Sequence, residues 1–167
     1  MILKKQRLNS LKLKVKLVFL FFVLMSCSSE TTNIPATQHA QSKSEKLFKF
    51  INARWGNKQA GPKAVLVLFE TGCLGCNKAY AKLMAGFINN PSAYIIVNAN
   101  GTHVDISPFT ADSLTNVFHD IKNDFGKLKI VNHSAAIFMK ANEIDTIVSI
   151  NAQDFNAQEA YIMSRIK

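Results

Sequence analysis

Scarcity is the first feature of this chain. Among 167 residues there are three cysteines, four prolines, seven glycines and one tryptophan. So few cysteines exclude a small disulfide-built scaffold, and so little proline and glycine exclude a collagen-like repeat or a low-complexity linker. Acids are missing from the start: none precedes Glu30, so Lys4, Lys5, Arg7, Lys12, Lys14 and Lys16 stand unopposed and carry most of the formal charge of +9. From Cys27 onward 14 basic residues face 11 acidic ones, with no interleaving of basic and aromatic residues. Nucleic-acid binding is therefore not expected. Long hydrophobic runs are absent too. The longest, Leu17 to Met25 (LVFLFFVLM), has nine residues. As a helix it would span roughly 14 Å, about half of the ~30 Å hydrocarbon core of a bilayer, which is too short for a permanent span.

What is present begins with that leader. Basic residues, an apolar run and then small residues form the order of an export signal. Leu24-Met25-Ser26-Cys27 resembles the lipobox of bacterial lipoproteins. The resemblance implies that residues 1–26 are a lipoprotein signal peptide and that Cys27 is acylated as the mature N-terminus. It also implies attachment through that lipid to the extracytoplasmic (periplasmic) side of a bacterial cell envelope. Residues 28–44 (SSETTNIPATQHAQSKS) hold one aliphatic side chain larger than alanine and cannot bury enough surface to fold. Residues 27–44 are expected as a flexible tether and residues 45–167 as the folded domain.

Within that domain Ser42 and Glu45 have capping-box spacing, and Leu47, Phe48, Phe50, Ile51 and Trp55 follow at helical period up to Gly56. AVLVLF at 64–69 and AYIIV at 93–97 are continuous apolar runs suited to strands buried on both faces. Cys76 to Asn89 between them reads as helix, stopped by Asn90-Pro91, which makes a parallel β-α-β unit. After a polar loop over 98–109, Leu114, Val117, Phe118, Ile121 and Phe125 recur at one helix face ending at Gly126, which leaves His119 on the solvent side. Ala135–Met139 and Ile144–Ile150 read as a hairpin, and Asp154 can cap a last helix carrying Phe155, Ala160, Ile162, Met163 and Ile166.

The order β-α-β-α-β-β-α, with Cys73-Leu74-Gly75-Cys76 at the first strand-to-helix junction, resembles the thioredoxin-like fold. The resemblance implies an α/β domain with a central mixed four-stranded sheet and an extra N-terminal helix. The chain departs from the family at three places. Gly72 stands where thioredoxins have tryptophan, Val67 stands in place of a buried acid, and no proline occupies the cis-proline slot at the start of the hairpin. By position that slot holds Ser134 or its neighbour.

A disulfide between Cys73 and Cys76 closes too small a loop to stabilise much, so the pair reads as reactive. At the exposed helix N-terminus Cys73 is the attacking thiolate, and Cys76, one turn further in, is the resolving thiol. The expected function is thiol-disulfide exchange without a cofactor, with protein thiols or disulfides as partners and a membrane electron donor for regeneration. Glu70 reads as a solvated loop residue, Lys78 as a surface lysine, and Tyr80, Leu83, Met84 and Phe87 as the buried helix face.

Val131-Asn132-His133-Ser134 carries a second resemblance, to the V-D-H-S/T segment of Sco-type copper chaperones. It implies a copper(I) site of Cys73, Cys76 and His133, two thiolates and an imidazole. Asn132 replaces that family's aspartate, and two residues rather than three separate the cysteines. His103, beyond the second strand, is a weaker candidate at the same sheet edge.

Overall fold

The computed structural model describes residues 36–56 and 61–166. The expected leader, the lipobox-like segment and Cys27 lie outside the described residues. The chain forms α1 (Ala36–Trp55), β1 (Ala64–Phe69), α2 (Leu74–Ala85), β2 (Ala93–Asn98), β3 (Val117–His119), β4 (Ala135–Lys140), β5 (Glu143–Ser149) and α3 (Phe155–Ile166). The strands make one mixed sheet of order β3-β2-β1-β4-β5, with β1–β2 and β2–β3 parallel and β1–β4 and β4–β5 antiparallel. Among the described residues no helix is long and apolar enough to cross a membrane.

The central strand explains the layering. All six residues of β1 are buried, and their alternation sends Ala64, Leu66 and Leu68 to one face and Val65, Val67 and Phe69 to the other. The first set packs with Tyr80, Leu83 and Met84 of α2 and with Ile162 and Ile166 of α3. The second packs with Leu47, Phe50 and Ile51 of α1 and with Phe125. Helices therefore cover both faces, as a strand with no polar side requires.

Three expectations need correction. The sheet has five strands, not four, and the helix expected over Leu114–Phe125 is absent. Instead Val117–His119 pairs with Ile95–Val97, and a short 3-10 turn occupies Gly126–Leu128. The apolar spacing was misleading because two side chains at its margins bind main chain. The buried Asn116 donates to the carbonyls of Phe87, Asn90 and Ala93, and Asp120 accepts from the N–H groups of Asp124 and Phe125. The Asp120 bonds are local and compete with a helix ladder, whereas those of Asn116 tie it to residues 23 to 29 positions earlier. Ile121, expected on the buried stripe, is 91% exposed. His119 is not on a helix but on β3, half-buried, with Nε2 2.8 Å from the Phe109 carbonyl oxygen.

Lastly, α1 starts at Ala36, so its backbone takes in residues 36–44 that composition assigned to the tether. The end of that stretch is docked. Ser44 Oγ accepts the Ile144 N–H at 3.0 Å, and Lys43 Nζ donates to the Ile130 carbonyl at 3.1 Å. The hairpin turn at Ala141-Asn142, with both residues at positive φ, falls where it was expected.

Candidate active site

Phe69 closes the central strand, and Glu70-Thr71-Gly72 carries the chain to Cys73, the N-cap of α2. Gly72 has φ +104°, a conformation that L side chains rarely adopt, which accounts for glycine at the position before the first cysteine. Cys73 and Cys76 form a disulfide with Cα atoms 5.3 Å apart. Their exposure differs sharply, Cys73 being exposed and Cys76 buried at 5%. The Cys76 N–H donates to Cys73 Sγ at 3.3 Å, and the Asn77 N–H donates to the Cys73 carbonyl at 2.9 Å. An opened disulfide would thus leave an accessible sulfur over helix N–H groups, where a thiolate is favoured, and a second sulfur screened behind it.

Two polar residues brace this turn. Ser134, at the end of the segment that leads into β4, places its hydroxyl against the last residue of β1. Its Oγ accepts the Phe69 N–H at 3.0 Å and lies 2.7 Å from Asn77 Oδ1, to which it donates. Asn77, 3% exposed, donates through Nδ2 to the Thr71 carbonyl at 3.1 Å. Ser134 or its neighbour is the residue expected in place of the missing proline, and no cis peptide bond occurs among the described residues. Asn77 was missed. The available signal was an amide side chain immediately after the second cysteine on the inward side of α2.

Glu70 is not merely solvated. Its carboxylate accepts from the main-chain N–H groups of Asn100 at 2.9 Å and His103 at 2.7 Å, and these bonds hold its pKa below the usual glutamate value. It fastens the 98–103 loop beside the dithiol. Between that loop and the turn after β3 lies a groove of about 330 Å³, lined by Phe69, Thr71, Asn98, Asp120 and the exposed Ile121 among others. Lys78 is exposed, and Tyr80, Leu83, Met84 and Phe87 are buried as expected.

The histidines are differently placed. His133 is half-buried, with Nδ1 2.6 Å from Asn132 Oδ1, and His103 is exposed and bound through its main chain to Glu70. Among the described residues no three of His, Cys, Asp and Glu gather as a metal-holding group. The copper(I) set of Cys73, Cys76 and His133 gains no supporting observation. No protein-family model, curated protein or solved structure matches the chain.

Proposed function

We propose that this chain is a lipid-anchored, extracytoplasmic thiol-disulfide oxidoreductase with a thioredoxin-like domain. One observation carries the reading: a disulfide at the N-terminus of α2, directly after the central strand, with Cys73 exposed and Cys76 buried. The fold supports it through β1-α2-β2, the β4–β5 hairpin and the closing α3, while β3 stands where a second helix was expected. The lipobox ending at Cys27 supports the anchor and the envelope location.

In the reduced protein the Cys73 thiolate attacks one sulfur of a partner disulfide. A Cys73–partner bond forms as the partner's S–S bond breaks, and the partner's other sulfur leaves as a thiolate. Cys76 then gives up its proton and attacks Cys73 Sγ, restoring the Cys73–Cys76 disulfide and expelling the partner's second thiolate. The partner gains two electrons, and a membrane-borne dithiol returns two to the protein by the same exchange run in reverse. Burial of Cys76 restricts the first attack to Cys73.

The test is turnover of a model disulfide together with trapping. Cys73→Ala should abolish turnover, and Cys76→Ala should accumulate a mixed disulfide visible by non-reducing mass spectrometry. Full activity in both variants would overturn the mechanism. Radiolabelled fatty acid should label the wild type and not Cys27→Ala, and an unlabelled wild type would remove the anchor.

A further inference from the structure

While the disulfide is closed, the S–S bond itself ties Cys73 to α2. Once it is reduced, that tie is gone, and the 70–73 turn depends on its remaining anchors. Upstream, Glu70 holds the turn through Asn100 and His103, and its own N–H reaches the Asn98 carbonyl at 3.3 Å. At Cys73 itself the main-chain bonds from the Cys76 and Asn77 N–H groups remain, and just upstream the bond from Asn77 Nδ2 to the Thr71 carbonyl joins the turn to the helix through a side chain. The amide can hold that orientation because its other end is engaged: the Ser134 hydroxyl donates to Asn77 Oδ1, and Ser134 is itself fixed by the Phe69 N–H. Both side chains are buried, Asn77 at 3% and Ser134 at 2% exposure, so water does not compete for the bond between them, while the bond to Thr71 is partly buried.

We propose that Asn77 is a positioning residue: clamped by Ser134, its amide holds Thr71 and hence Cys73 at the helix N-cap after the disulfide opens, keeping the attacking sulfur over the Cys76 N–H. The inference rests on the dithiol reading above and adds the residue that preserves thiolate geometry in the reduced state. It assigns to Ser134 a clamping role in the slot where the resembled family has a proline. It also gives a reason for a buried amide at position 77, where an apolar residue would otherwise pack.

The experiment uses the reduced protein and does not depend on turnover, so its outcome is separate from whether the protein is an oxidoreductase. In wild type, the Asn77 side-chain NH₂ protons should remain slowly exchanging by NMR in both redox states. Asn77→Ala should raise the midpoint of the Cys73 thiolate titration and slow alkylation of Cys73 near neutral pH about two- to fivefold, the range expected from weakening a helix N-terminal interaction. Ser134→Ala should shift both in the same direction by less, because the bond to Thr71 survives. Fast exchange of the Asn77 amide in the reduced wild type would overturn the proposal. So would a folded Asn77→Ala variant with unaltered thiolate titration and alkylation. If Asn77→Ala fails to fold, the wild-type exchange and the Ser134→Ala titration decide the matter.

Discussion

Replacing Ser134 by alanine removes one oxygen atom from the junction of β1, α2 and β4. In the native protein that oxygen accepts the Phe69 N–H at 3.0 Å and donates its single proton to Asn77 Oδ1 at 2.7 Å, with the Phe69 carbonyl at 3.2 Å as the alternative acceptor. Phe69 is 8% exposed and Asn77 3%, so the variant strands a buried donor and a buried acceptor. Each such group costs about 1–3 kcal/mol, and removing the hydroxyl recovers only its own modest desolvation, so the loss should be about 2–4 kcal/mol. With a urea m-value of about 2 kcal/mol/M, the midpoint should fall by roughly 1–2 M at unchanged slope. Ser164→Ala is the control: its exposed Oγ donates to the Tyr161 carbonyl, and its removal should change stability by no more than about 0.5 kcal/mol. A Ser134→Ala loss as small as the control's, at equal m, would refute the claim that this hydroxyl satisfies buried groups.

Other consequences follow from the same structure. Glu70 is held below its usual value by the Asn100 and His103 N–H groups, so its stabilisation is complete above the ordinary 4.5 and is lost as pH falls through its lower folded value. The stability gap between wild type and Glu70→Gln should therefore close on acidification, and a gap that stays constant would exclude the loop-fastening role. Tyr80 is fully buried, and burial raises its pKa well above 10.0. Because the unfolded phenol ionises first, the stability tied to its neutral form is lost as pH rises past 10.0, and phenolate absorbance from Tyr80 should appear only with unfolding. Tyr80→Phe, which removes the 2.8 Å bond to the Ala135 carbonyl, should cost about 1 kcal/mol in denaturant unfolding. Phe138, buried on the face shared by α2 and α3 and packed edge-on to Tyr161, should cost about 3–5 kcal/mol on truncation to alanine.

Much of the fold was legible because its signals are local. AVLVLF has no polar position to turn toward water and is bounded by turn residues, which suits a strand covered on both sides, and β1 occupies the expected residues. The Cys-x-x-Cys spacing at a strand-to-helix junction put one sulfur at a helix start and the other one turn inside, and the structure shows one exposed and one buried. The stretch from Leu114 to Phe125 resisted such reading, while the hairpin and the last helix fell where they were expected. Leu114, Val117, Phe118, Ile121 and Phe125 have helical spacing, yet the open edge of β2 and the main-chain bonds of Asn116 and Asp120 draw Val117–His119 into the sheet. Strand pairing is a long-range contact that no window of sequence contains.

The sequence by itself determined the cysteine pair, its place in the chain and the apolar elements beside it, because covalent spacing and hydrophobic period are properties of neighbouring residues. Only the tertiary structure decided what surrounds the pair. Ser134 lies 57 residues from Asn77 along the chain and meets it at 2.7 Å, and Glu70 reaches across 33 residues to fasten His103. Those contacts exist because β4 returns antiparallel beside β1 while β2 runs parallel on its other side, bringing distant polar groups to the one edge where the dithiol sits.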